Sequence, residues 1–180
     1  MKLLYVGRVS KEKNLQLLGK AFKSLVRSHP ELKLFIVGDG PYQDEMRREL
    51  AGAPCIFTGY LAGEELAEVY ASCDLFVFPS TTDTFGNVVL EAQASGLPVI
   101  VTDAGGPQEN VVEGKTGFII PANEDSLFNT IQMLIAQPQR LQEMGQAARD
   151  YVQQRSFGAA FQASWKMYEE KANSSQFSAS

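Results

Sequence analysis

The sequence predicts an α/β fold: a parallel sheet of about six strands with helices on both faces and extra helices towards the C-terminal end. Three observations predict it. Six short runs rich in β-branched and aromatic residues recur: KLLYVGRV (2–9), LKLFIVGD (32–39), CIFTG (55–59), LFVFP (75–79), PVIVTD (98–103) and GFIIP (117–121). Most are apolar at successive positions as well as alternate ones, as strands covered on both faces must be. Longer amphipathic segments separate them, and a βαβ order of this kind gives a parallel, Rossmann-like layer with right-handed crossovers.

The helical segments follow in order. Asn14–Ser28 places Leu15, Leu18, Phe22, Leu25 and Val26 on one face, with Asn14 as its candidate cap. Tyr42–Ala51, Glu64–Ser72 and Phe85–Ser95 come next, then a short segment near Gln108–Val112 and three helices after Asn123. One domain over 1–172 and a disordered tail over 173–180 are expected, the tail being small and polar. In an open parallel sheet, ligands bind at the carboxyl ends of the strands, so function is sought in the loops that follow strands.

Composition narrows the function. A folded chain of 180 residues buries about 70% of its unfolded surface, enough for a core without disulfides or metals. Hydrophobic residues make up 44% and charged residues 21%, which excludes wholesale disorder. The net charge of −5 argues against a nucleic-acid partner, which needs a basic footprint. The two cysteines, Cys55 and Cys73, and the single histidine, His29, are too few for a zinc site, and no metal site is expected. Two reduced, buried thiols fit a cytoplasmic location. No apolar run is long enough for a transmembrane segment.

Several motifs fail on inspection. Gly114-Lys115-Thr116 lacks the glycine five residues upstream that a P-loop needs, because Glu109 stands there. Gly38-Asp39-Gly40 follows a strand, but Gln43 replaces the third glycine of a dinucleotide fingerprint. No Asp-x-Asp pair is present to hold a divalent cation. His29, beside Pro30, reads as a surface residue at a helix end, so a Ser-His-Asp or Cys-His centre is not expected.

Two motifs survive. In GRVSKEKN (7–14), Arg8, Lys11 and Lys13 precede a helix whose N-terminal dipole opposes them. A bound polyanion would favour cations there, and so would plain solvation of a basic loop. In PSTTDTFGNVVLE (79–91), a strand runs into a small-residue loop and then a helix expected to start near Thr84 or Phe85. Gly86 leaves the first turn open for an anion. On such a helix Thr84, Asn87 or Val88, and Glu91 share a face, and Glu91 lies seven residues beyond Thr84, about 10 Å along the axis at 1.5 Å per residue. Two carboxylates with an anion site between them suit a ligand with hydroxyls at both ends and phosphates in the middle, as in a nucleoside-diphosphate sugar. Asp83 also fits a helix N-cap, and Glu91 an ordinary helix acid, partly buried between Leu90 and Ala92.

At these residues the chain resembles the C-terminal, donor-binding half of a group 1 (family 4) glycosyltransferase of the GT-B fold. The resemblance rests on YVGRVSKEKNL (5–15), LFIVGDGP (34–41), IFTGYL (56–61), DLFVFPSTTDTFGNVVLEAQASGLPVI (74–100), Gly105-Gly106, GKTGFIIP (114–121) and FGAAFQASWKMY (157–168). It implies that Arg8 and Lys13 hold the donor diphosphate. The family's Glu-x7-Glu signature reads Asp83-x7-Glu91, one methylene shorter at the first acid. The resemblance makes these two the catalytic pair, Asp83 towards the transferred sugar and Glu91 towards the ribose hydroxyls. It also implies that Gly38, Thr84 and the turn Phe85, Gly86, Asn87 and Val88 bind donor, and that the loop from Phe57 to Tyr60 lies near the base.

The implied function is half of a retaining, metal-independent enzyme. It would move a hexose from a UDP- or GDP-sugar to an acceptor hydroxyl, with no cofactor. The acceptor-binding N-terminal half would come from the same parent chain or from a partner in trans, and peripheral membrane association would run through that half. An isolated chain of this kind is expected to be inactive. The alternative is a non-catalytic nucleotide-sugar-binding subunit, or a truncated product, that needs a partner.

Overall fold

A computed structural model describes residues 1–155. The stretch 157–168, the third helix expected after Asn123 and the tail 173–180 lie outside the described residues. Among the described residues the chain runs β1 (Lys2–Val6), α1 (Leu15–Leu25), β2 (Lys33–Val37), α2 (Gln43–Glu49), β3 (Cys55–Gly59), α3 (Gly63–Ser72), β4 (Leu75–Phe78), α4 (Asn87–Ala94), β5 (Val99–Thr102), β6 (Gly117–Ile120), α5 (Glu124–Ile135) and α6 (Pro138–Arg155). Short 3-10 turns span Lys11–Lys13 and Pro107–Asn110.

The strands form one parallel sheet in the order β3-β2-β1-β4-β5-β6. The chain builds outward from β1 to β3, crosses back, and builds outward again from β4. β1 and β4 lie side by side, Leu3 opposite Leu75 and Leu4 opposite Phe76. Their onward connections diverge, and a crevice opens beyond the carboxyl ends of two such strands.

Every residue of β4 and β5 is buried, which requires helices on both faces. β3, at the sheet edge, alternates half-buried and exposed, so two-sided burial does not extend to it. α1 buries Leu15, Leu18, Phe22 and Leu25, as the helical spacing predicts. Each such side chain contributes about 1.5–3 kcal/mol on leaving water. α1 packs against α5, and α4 against α6. An aromatic row crosses the core: Tyr5 to Phe78 at 6.0 Å between centroids, Phe78 to Phe76 at 6.0 Å, and Phe76 to Tyr70 at 6.1 Å.

Two helix starts differ from expectation. Asn14 makes no side-chain cap bond; it adopts a left-handed φ of 55° and turns the 3-10 segment into α1. Asparagine tolerates that conformation better than most residues do. α4 begins at Asn87 rather than at Thr84 or Phe85, because Gly86 takes a left-handed φ of 79° and ends helical continuation upstream. Among the described residues no helix is long and apolar enough to cross a membrane. Cys73 is buried and Cys55 half-buried, and both are free thiols.

Candidate functional site

Two hollows adjoin where β1 and β4 diverge. The first, about 440 Å³, lies between the loops after β1 and β4 and is lined by Arg8, Lys13, Asp83, Thr84 and the turn Phe85–Val88. The second, about 500 Å³, lies over the ends of β1, β2 and β3 and is lined by Arg8, Gly38, Asp39, Tyr60, Leu66 and Glu91. Val6, Gly7, Arg8 and Val88 line both.

Close backbone packing forms their floor. The Gly7 N–H donates to the Val37 carbonyl at 3.0 Å, and the Gly38 N–H to the Gly59 carbonyl at 2.7 Å. Gly38 has a φ of 120°, and a Cβ there would lie 2.1 Å from the Gly7 carbonyl oxygen. Only glycine lets the exits of β1 and β2 approach this closely.

Arg8 stands at the junction. Its side chain is exposed and has no ion pair among the described residues. Its backbone is fixed, because the Tyr5 hydroxyl donates to the Arg8 carbonyl at 2.9 Å. Lys13 is committed differently. Its Nζ donates to both carboxylate oxygens of Asp83, at 2.8 and 2.9 Å, with side chains 18% and 24% exposed.

The loop carrying Asp83 is braced from behind. The Gly106 N–H donates to the Asp83 carbonyl at 2.9 Å, and Asn110 Nδ2 to the Phe85 carbonyl at 2.6 Å. A Cβ at Gly106 would come within 1.8 Å of the Thr84 carbonyl oxygen. Gln93, fully buried, donates in turn to the Asn110 carbonyl at 3.0 Å. Asp83 and Thr84 thus belong to a pinned loop, and the helical face expected to carry Thr84 together with Glu91 does not form.

α4 begins without a side-chain cap, and its first residues, Asn87 and Val88, line the first hollow. The leading N–H groups of a helix have no intrahelical acceptor and favour an anion. Glu91, one turn further on, lines the second hollow and is exposed rather than partly buried. The Tyr70 hydroxyl donates to its Oε2 at 3.0 Å. Burial first, and the Glu91 charge second, push the Tyr70 hydroxyl above the usual tyrosine range. Tyr5 is raised likewise, by burial and then by Asp83. Both hydroxyls therefore remain donors at neutral pH.

Phe57 is half-buried beneath Arg47, whose guanidinium lies 4.5 Å from the ring centroid, and it does not line either hollow. Tyr60, 76% exposed, takes the rim instead, its N–H donating to Asp39 Oδ2 at 3.0 Å. Among the described residues no group of three or more His, Cys, Asp or Glu is arranged to hold a metal ion.

Sequence reasoning missed Tyr5 and Tyr70. Tyr5 lies inside a strand, and Tyr70 lies on the helix before β4, outside the loops that follow strands. Gly105-Gly106, which carries part of the family resemblance, is the brace behind Asp83.

The family described as "Glycosyl transferases group 1" matches residues 1–151. The chain belongs to this family. Sulfoquinovosyl transferase SQD2 of Arabidopsis thaliana is 39% identical over 162 residues, covering 88% of this chain and 31% of that protein. A GDP-mannose-dependent alpha-mannosyltransferase of Mycobacterium tuberculosis is 46% identical over 121 residues, covering 67% of this chain and 30% of that protein. This group 1 chain thus spans about a third of the length of these curated relatives. Among solved structures, Anabaena HepE in complex with UDP superposes with a TM-score of 0.79 at 27% identity, over 93% of this chain and 48% of that one. The six-stranded parallel sheet with surrounding helices matches the C-terminal domain of the GT-B fold.

Proposed function

We propose that this chain is the donor-binding half of a retaining, metal-independent glycosyltransferase that works in the cytoplasm and moves a hexose from a UDP- or GDP-sugar to an acceptor hydroxyl. One observation carries the reading: Arg8, with no ion pair among the described residues, lines both hollows, with Asp83 in one and Glu91 in the other. The diphosphate lies at that junction. The sugar reaches into the first hollow towards Asp83, and the nucleoside lies in the second, its ribose hydroxyls donating to Glu91 and its base beside Tyr60.

Bond cleavage at the sugar carbon leaves extra negative charge on the departing diphosphate. Arg8, Lys13 and the open N-terminus of α4 are the groups that stabilise it, through charge-assisted hydrogen bonds. Three such sources of positive potential can do the work that a divalent cation does elsewhere. Retention of the anomeric configuration comes from the resemblance, and the free thiols of Cys55 and Cys73 agree with a reducing compartment. The relatives named for GDP-mannose and the neighbour bound to UDP support a nucleotide-sugar donor.

Transfer also needs an acceptor hydroxyl held beside the sugar, and positioning of that kind supplies about 7–11 kcal/mol of a barrier. We assign it to a further domain, in the same parent chain or in trans. Calorimetric titration of the chain with UDP, GDP and ADP and with their hexose conjugates tests the reading. Saturable binding of at least one pair, weakened by Arg8→Ala, is expected. Absence of binding by all of them at millimolar concentration would overturn it.

A further inference from the structure

Tyr70 has no part in the reading above, yet it is built into the site. It sits near the end of α3, 3% exposed, with its ring against Phe76. Its hydroxyl reaches across to α4, where it meets Glu91 Oε2 at 3.0 Å and lies 3.5 Å from the Val88 carbonyl. The hydroxyl has a single proton, and the shorter bond to a charged acceptor takes it. Glu91 is otherwise exposed, and an exposed glutamate on a helix samples many rotamers. The aromatic row gives this contact its rigidity. At one end the Tyr5 hydroxyl fixes the Arg8 backbone; at the other the Tyr70 hydroxyl fixes the Glu91 carboxylate.

We infer that Tyr70 is a positioning residue for nucleotide recognition: its hydroxyl holds Glu91 Oε2 so that the remaining carboxylate lone pairs face the second hollow and accept from the vicinal hydroxyls of a ribose. The inference rests on the proposed donor site and names the group that orders it. A carboxylate held in its binding rotamer loses less freedom when ligand arrives, which is the general advantage of preorganisation. A diol has two donors at fixed spacing, so it gains more from a fixed carboxylate than a single hydroxyl does.

The test compares UDP and GDP with their 2′,3′-dideoxy counterparts, titrated into the 180-residue chain and its Tyr70→Phe, Glu91→Gln and double variants. Tyr70→Phe keeps the ring and removes only the hydroxyl. We expect it to weaken UDP or GDP about three- to tenfold while leaving the dideoxy ligand unchanged, and to add nothing in the Glu91→Gln background. An unchanged ratio of ribo to dideoxy affinity in Tyr70→Phe, with or without a drop in Tm, would reduce the hydroxyl to a helix–helix tie and overturn the inference. Equal losses with and without Glu91 would overturn it too. A Glu91→Gln variant that binds ribo and dideoxy ligands like the parent would instead remove the ribose role of Glu91, and the donor-site reading with it. If Tyr70→Phe does not fold, Tyr70→Met, which also removes the hydroxyl and leaves Glu91 unaltered, serves in its place: the same fall in the ribo to dideoxy ratio is expected, and an unchanged ratio overturns the inference.

Discussion

Lys13 and Asp83, 70 residues apart in sequence, form a forked ion pair at the first hollow, with the lysine Nζ 2.8 and 2.9 Å from the two carboxylate oxygens. One of the cations expected to hold a diphosphate is thus already held by the acid expected to face the sugar. Each group satisfies the other, and a ligand that engages either one must take over part of that bond.

Breaking the pair has opposite consequences for folding and for binding. Lys13→Met is expected to lower unfolding free energy by about 1 kcal/mol, since both partners lie partly out of water. Asp83→Asn releases Lys13, so affinity for free UDP or GDP is expected to rise about three- to tenfold, and the preference for the hexose conjugate over the free nucleotide to fall. Urea melts and calorimetry check the two effects. A fall in free-nucleotide affinity as large as that for the conjugate would remove Asp83 from the sugar subsite.

Arg8→Ala should act on binding alone. Its guanidinium is exposed and has no ion pair among the described residues, so its loss leaves packing intact. A weakening of nucleoside-diphosphate binding by about 1.5–3 kcal/mol is expected, with an unchanged Tm. The affinity of the parent should fall with added salt more steeply than that of the variant.

Gly38→Ala should cost stability rather than affinity first. The added Cβ lies 2.1 Å from the Gly7 carbonyl oxygen, and the φ of 120° disfavours any side chain. A loss of about 3 kcal/mol is expected, or about 6–12 °C in Tm for a domain of this size. Thermal denaturation followed by circular dichroism measures it, and a Tm within a degree of the parent would show that β1 and β2 can separate at no cost.

Alkaline pH should destabilise the protein before it ionises the folded thiols. Burial pushes Cys55 from an ordinary 9.0 up to about 12 and Cys73 up to about 11. The unfolded chain loses these protons first, so the stability they carry is full below 9.0 and drains away as pH climbs towards 11 and 12. The urea midpoint should therefore be lower at about pH 10.5 than at about pH 8, and Cys73→Ala should reduce that difference. A midpoint independent of pH across that range would contradict the buried-thiol picture.

The sequence by itself determined the succession of strands and helices along the chain, the covered faces of β4 and β5, the helical face of α1 and the loops that hold Arg8 and Asp83. These follow from periodicity and from the chirality of βαβ units, which act over short stretches of chain. It also put Glu91 on the helix that follows β4. Only the tertiary structure decided what those groups do to one another. Lys13 meets Asp83 because β1 and β4 become neighbours at the centre of the sheet, a pairing that no local pattern encodes. Thr84 leaves the helix because Gly86 turns left-handed and Gly106 packs against the Thr84 carbonyl from a distant loop. Tyr70 reaches Glu91 because its buried ring packs on Phe76 of β4 and carries its hydroxyl across to α4. Each of these contacts joins elements far apart in sequence, and a chain folds such groups together through packing that its local residue pattern does not record.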